Sequence, residues 1–432
     1  VVFRYKAQGA GNGLVGALPS GESGSGQPQQ QQALEARRLP AGAAILPQGL
    51  AIPQMAAYHL AQRAAHSNAN AALRRMTRVL PLPANRASPK APAVGALTLL
   101  CGSESVNIRL KEYQFMRRSF KPTMTRPEDF EAFWDSTRLQ LERLDPAIER
   151  RPQAVAGVAG IRSEIVSFLS LGRTRVSAYF LQWEDDQQRP LVIYSHGYGC
   201  QCQPRWDWAR RGLNVLGVDI RGFGISMDAL PHPSRWGYVL TGIETPETSV
   251  IRLAVCDYMQ AARVGRMLTA ERRNRTVFEG VSFAGGLALM SQAVTGHADL
   301  LAVGVPTFGW AEGRNLFVKS GSGAEISAYL ARRPDHLEDT MVVLRYFDAV
   351  NFADCVSCPT VLALGLEDDV VPAKTVYGIA NHLTVPYELM EFPVSHTDHP
   401  DEAQWQRFES YWLQLAVQGI PAAFGDHTAR IS

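Results

Sequence analysis

Arg275-Thr-Val-Phe-Glu-Gly-Val-Ser-Phe-Ala-Gly-Gly-Leu-Ala-Leu-Met290 is the stretch on which the reading of the whole chain turns. Thr276 to Phe278 is a short β-branched and aromatic run of the kind that forms a buried strand. The run breaks at Gly280 and a helical pattern resumes after Ala284, so Ser282 falls on a strand-to-helix turn. This Gly-x-Ser-x-Ala pattern is a variant of the nucleophile elbow Gly-x-Ser-x-Gly. Alanine is still small enough for strand and helix to pass closely, and Gly285 and Gly286 follow it. A turn this sharp strains the serine backbone and projects the hydroxyl above the sheet. It also aims the first free N–H groups of the helix at the same point.

On either side of this turn, apolar runs of strand length alternate with helical segments. Strands are expected at Leu191–Tyr194, Val215–Asp219, Thr276–Phe278, Leu301–Val305, Thr360–Leu364 and Glu388–Phe392. Helices are expected near Arg205–Arg211, Val250–Met267, Ala284–Ala293, Ala324–Leu330, Leu337–Phe347 and Asp401–Ala416. Ahead of them, Ile161 to Leu169 and Thr174 to Trp183 alternate in polarity about Leu171-Gly172, the mark of an antiparallel hairpin. Order is expected to begin at Thr125-Arg-Pro-Glu-Asp-Phe-Glu-Ala-Phe-Trp134. There Thr125 is placed to cap a helix with Glu128 reaching back, and Pro127 suits the first turn. Phe130, Phe133, Trp134, Leu139 and Leu141 supply apolar contacts along that helix. The fold class is α/β, a mainly parallel, doubly wound sheet with an N-terminal antiparallel hairpin.

A serine hydroxyl is a weak nucleophile; it needs a base, and the base needs an orienting acid. In α/β-hydrolases these groups follow in the order serine, acid, histidine. Two later strands run into suitable loops: Thr360–Leu364 into Gly365-Leu-Glu-Asp-Asp-Val-Val-Pro372, and Glu388–Phe392 into Pro393-Val-Ser-His-Thr-Asp-His399. Both loops sit at carboxyl ends of strands, where open α/β sheets build their sites. Asp368 is the expected acid, with Glu367 and Asp369 solvated. His396 is the expected base and His399 the fallback. Tyr194-Ser-His-Gly-Tyr-Gly199 supplies the fourth element, since glycines there let backbone N–H groups approach a substrate. The oxyanion donors are then the backbone N–H groups of Tyr198 and of Phe283, the residue after the nucleophile.

From about Arg126 onward the chain resembles the acetyl xylan esterase and cephalosporin C deacetylase family of α/β-hydrolases. The likeness rests on Arg126-Pro-Glu-Asp-Phe-Glu-Ala-Phe-Trp134, Val218-Asp-Ile-Arg-Gly-Phe-Gly224, Tyr238 to Gly242, Tyr346-Phe-Asp-Ala-Val-Asn-Phe-Ala353 and Gly365-Leu-Glu-Asp368. These blocks come in family order over roughly 300 residues, a single-domain length for such folds. The resemblance implies Ser282, Asp368 and His396 as the triad, Tyr198 as an oxyanion donor, deacetylation of small esters, and a homo-oligomer, often a hexamer. It also exposes three departures. The family usually has Arg-Gly-Gln where this chain has Arg221-Gly222-Phe223, glutamine at Phe283, and His-Glu at His396-Thr397. Phe223 and Phe283 are therefore expected to line an apolar substrate pocket that favours alkyl or aryl esters over acetylated xylan.

Hydrophobic residues at 46% and charged residues at 19% suit a globular protein with a sizeable core. A formal charge of +2 singles out neither nucleic acid nor an anionic membrane as partner, and no apolar run is long enough to span a bilayer. Residues 1–119 differ from the rest, with Gly/Ser-rich Gly21 to Gly26, the run Gln29 to Gln32, scattered proline and recurrent arginine. They are expected to be a disordered or non-native extension, with at most a short helix over Ala56 to Leu80, and Met116 or Met124 as sensible starts. The catalytic domain is expected over residues 120–432. Six cysteines make no dense disulfide framework. Cys355-x-x-Cys358 lacks the further ligands of a zinc site, and Cys200-x-Cys202 follows the oxyanion loop. Trp206, Trp208, Trp236 and Trp310 read equally as core or pocket wall. The expected protein is thus a cytoplasmic serine carboxylesterase acting on small ester substrates without metal or cofactor. The competing readings are a serine peptidase or amidase on the same fold and a non-catalytic, ligand-binding relative.

Overall fold

Short runs of Val, Ile, Leu and Ala flanked by turn residues become strands buried on both faces, and the sheet they build positions everything else. A computed structural model describes residues 119–153, 158–318, 320–397 and 403–425. The leader up to residue 118, the helix expected at Ala56–Leu80 and the fallback base His399 lie outside the described residues.

Among the described residues nine strands form one sheet in the order β1-β2-β3-β5-β4-β6-β7-β8-β9. They are β1 (Glu149–Pro152), β2 (Ile161–Ser170), β3 (Thr174–Trp183), β4 (Arg189–Tyr194), β5 (Asn214–Asp219), β6 (Arg273–Val281), β7 (Leu300–Gly304), β8 (Thr360–Gly365) and β9 (Tyr387–Phe392). β1, β2 and β3 pair antiparallel, and β3 joins β5 antiparallel at Ser177↔Asp219 through Leu181↔Val215. From β5 to β9 every pairing is parallel. The expected hairpin is therefore β2–β3, extended by a strand that periodicity does not announce. Glu149–Pro152 is exposed at all four positions, so it carries no alternation.

The helices are α1 (Phe130–Arg143), α2 (Trp206–Ala209), α3 (Val250–Leu268), α4 (Phe283–Thr295), α5 (Ala311–Phe317), α6 (Gly321–Arg332), α7 (Leu337–Arg345), α8 (Ala373–Ala380) and α9 (Ala403–Gln418). Helices α5 and α8 were not anticipated. All eight residues of α8 except Lys374 are buried, so no polar face marks its period. The helix α1 starts later than its capping signal suggests, at Phe130, with no side-chain cap. Thr125 is engaged elsewhere: its N–H donates to Asn351 Oδ1 (2.8 Å), while Arg126 Nε donates to the Asn351 carbonyl (2.7 Å) and its guanidinium pairs with Asp354. Tertiary bonds outweigh the local cap. Of the apolar residues assigned to α1, Leu139 is exposed, whereas Phe130, Phe133, Trp134 and Leu141 are buried.

Just before α1, residues 119–124 lie along α8. Asn381 Nδ2 donates to the Phe120 carbonyl (2.9 Å), His382 Nε2 donates to the Pro122 carbonyl (2.7 Å), and the Phe120 ring meets Trp310 edge-on. No described helix is long and apolar enough to cross a membrane.

Candidate active site

The elbow is built as its sequence requires. Ser282 leaves β6 with φ 62° and ψ −119°, a strained conformation for a residue with a side chain, and α4 begins at the next residue. Its backbone is clamped on both sides: the N–H donates to the Gly304 carbonyl at the end of β7 (2.8 Å), and the carbonyl accepts from Gly286 and Thr307 N–H groups (each 3.1 Å). Gly280 is obligatory here, because a Cβ would fall 2.3 Å from the Ala284 carbonyl carbon. Close passage of strand and helix therefore depends on Gly280, and Ala284 is accommodated at the fifth position. Phe283 opens α4, so its N–H has no intrahelical partner.

Asp368 follows β8 and His396 follows β9, adjacent strands, and their side chains meet. Asp368 Oδ2 accepts from His396 Nδ1 (2.5 Å) and from the His396 backbone N–H (3.0 Å); Oδ1 accepts from the N–H groups of Val370 (3.0 Å) and Val371 (2.8 Å). Burial by itself would raise the Asp368 carboxyl, but the imidazole bond and charge and these N–H groups outweigh it and hold its pKa below the ordinary value. An ionised carboxylate only accepts, so the proton sits on Nδ1 and leaves Nε2 free to take one. Glu367 and Asp369, on either side, are exposed. Trp405 ties this pair to the elbow: its ring lies 6.4 Å from that of His396 and against Gly304, the residue that accepts the Ser282 N–H.

The loop after β4 is tethered to the end of β5. Ser195 Oγ donates to the Val218 carbonyl (2.8 Å), and the Cys202 N–H donates to Asp219 Oδ1 (2.6 Å). His196 is buried; its Nε2 accepts the Ile220 N–H (3.2 Å), so its Nδ1 faces the Gly197 carbonyl (2.9 Å) as donor. Burial lowers its pKa, against the nearby Asp219 charge. Both ring nitrogens are thus occupied in shaping the loop. Tyr198, at its tip, packs its ring against Phe283, Tyr238 and Phe223 at 5.5–6.1 Å.

A model of the acetyl xylan esterase family (AXE1) matches residues 108–415. The chain belongs to that family. It is accordingly a carboxylic ester hydrolase with the α/β-hydrolase fold. The acetyl esterase Axe7A of Xylanibacter ruminicola is 21% identical over 320 residues, covering 70% of each chain. Two solved structures share the fold: acetyl xylan esterase from Paenibacillus sp. R4 (TM-score 0.61, 23% identity, 69% of this chain and 98% of that one) and acetyl xylan esterase 1 from Thermoanaerobacterium sp. JW/SL YS485 (TM-score 0.62, 20% identity, 70% and 98%).

One expectation for this esterase is corrected. The Phe283 ring is 0% exposed and Phe223 only 7%. Both rings are enclosed with His196, Tyr198 and Tyr238, and Phe283 also with Phe308. They form a floor beneath the loop and offer little surface to a substrate, so the argument for alkyl or aryl esters over acetylated sugar loses its basis. Of the four tryptophans, Trp208 is core, packed on Tyr194 and Trp412, while Trp206, Trp236 and Trp310 are half-buried. The five described cysteines are free thiols, and no described group of three or more His, Cys, Asp or Glu side chains is arranged to hold a metal. Sequence reasoning missed Asp219 and Glu325. A strand-end aspartate was visible for the first; nothing local marks the second.

Proposed function

We propose that this family member is a serine carboxylesterase for short, acetyl-type esters, with Ser282 as nucleophile, His396 as general base and Asp368 as the acid that orients it. Ser282 Oγ attacks the ester carbonyl as His396 Nε2 takes its proton. The N–H groups of Tyr198 and Phe283 hold the developing oxyanion, and the imidazolium returns the proton to the leaving alcohol. Water then repeats the sequence in reverse and releases the acid. The observation that carries this reading is the Asp368–His396 pair, the imidazole Nδ1–H fixed on a buried carboxylate, one strand beyond β7 from a serine in a strained elbow.

The test is hydrolysis of p-nitrophenyl acetate by the purified chain. Ser282→Ala, His396→Ala and Asp368→Asn should each lower kcat by several orders of magnitude, without loss of fold. Wild-type turnover by Ser282→Ala would sink the reading. The free thiols support a reducing, cytoplasmic setting as part of the same proposal.

A further inference from the structure

We propose that Glu325, on α6, is a positioning residue for the reaction: it anchors the phenol of Tyr198 and so holds the Tyr198 N–H in the oxyanion hole. The inference rests on the reading of Tyr198 as an oxyanion donor. The backbone at this point has little stiffness of its own, because Tyr198 stands between Gly197 and Gly199, the latter at φ 72°. What fixes it is the side chain. Its ring lies in the aromatic floor with Phe223, Tyr238 and Phe283, and its hydroxyl donates to Glu325 Oε1 at 2.6 Å across 127 residues of sequence. The second carboxylate oxygen, Oε2, accepts the Val239 N–H (3.3 Å). One carboxylate therefore joins three segments: α6, the turn at 237–240 and the oxyanion loop.

The molecule makes room for this arrangement. Gly237 sits at φ 134°, and a Cβ there would lie 2.1 Å from Glu325 Oε2. Two acceptor oxygens suit the position, since both groups facing them are donors. Glutamine would turn an NH₂ toward one of those donors, and alanine would leave both unpaired. The tether matters for rate because an oxyanion donor acts only if it is already aimed where charge develops.

The experiment measures p-nitrophenyl acetate kinetics for E325A, Y198F and the double variant in the full chain. Each single change should lower kcat about tenfold, a fraction of the 10²–10³ lost when an oxyanion donor is removed outright. KM should stay within about twofold, because the donor is engaged in the transition state. The double variant should be no slower than either single, since both cut the same link. Inhibition by phenylboronic acid, which forms a tetrahedral serine adduct, should weaken by the same factor. Wild-type kcat in E325A, or losses that multiply in the double variant, would overturn the proposal. Inactive S282A beside fully active E325A would remove Glu325 from the mechanism and leave the serine mechanism standing; active S282A would remove both. If E325A fails to fold, Y198F decides, since it keeps the ring packing: unchanged kcat refutes the tether.

Discussion

Phe283 illustrates how one residue divides its work between backbone and side chain. Its N–H opens α4 beside the nucleophile, while its ring is sealed among His196, Tyr198, Phe223, Tyr238 and Phe308. A polar amide placed there would lose its water and meet aromatic faces. Phe283→Gln should therefore cost about 2–4 kcal/mol of stability, read as a lower Tm or denaturation midpoint, instead of shifting substrate preference toward sugars. An unchanged Tm with altered ester selectivity would show that the ring reaches the substrate. The residues that sequence brings out are those whose chemistry is tied to a strand end: Ser282, Asp368 and His396 each follow a recognisable β run. Glu325 does not, because its partner is 127 residues away. The burial of Phe283 was equally illegible, since a pattern says which side chains are apolar but not which neighbours close over them.

Among the elements, the segment before α1 matters more than its composition suggests. Phe120 and Pro122 give their carbonyls to Asn381 and His382 just past α8, and Lys374 lies 4.7 Å and 4.8 Å from the ring centres of Phe120 and Trp310. Since α8 begins five residues after Asp368, this segment braces the acid loop. A chain starting at Met116 should match the full chain in Tm and kcat. One starting at Thr125 should melt about 2–5 °C lower, for a loss of one or two kcal/mol in a domain of this size. Equal melting of the two would mean that the contact contributes nothing to stability. Legibility follows the same physics here. The parallel strands were readable as apolar runs. By contrast β1, made of Glu149, Arg150, Arg151 and Pro152, is an exposed edge strand held by backbone pairing and by the ion pairs Arg150–Glu164 and Glu149–Arg175, which leave no trace in hydrophobic order.

At the scale of the whole molecule, a buried carboxyl on the strand β6 sets a pH dependence. Burial raises the Glu279 carboxyl from 4.5 to about 8, with Arg205 opposing the shift and Glu409 adding to it. In the unfolded chain the group loses its proton near pH 4.5, whereas the native state keeps it until about pH 8. Native protein thus binds the extra proton between these values, and stability falls as pH rises through that window. Glu279→Gln removes the linkage. The variant should match the wild type near pH 4.5 and exceed it by a few kcal/mol at pH 8 and above, measured by denaturant unfolding across that range. A gap independent of pH would place the proton elsewhere.

The docking of α1 carries a consequence in time. Trp134 donates its indole N–H to the Tyr346 carbonyl (3.1 Å), and Phe130 and Trp134 meet Phe352 edge-on, so the first described helix finds the aromatic part of its seat 212 residues downstream. At roughly 5–20 residues per second, a ribosome delivers that seat about 10–40 s after the helix emerges. Arg252 reaches the Phe133 ring earlier, but throughout that interval Phe130 and Trp134 lack their aromatic partner Phe352 on the nascent chain. The first described helix is thus among the last elements to be fully secured, and its waiting time is when a growing polypeptide most needs a chaperone.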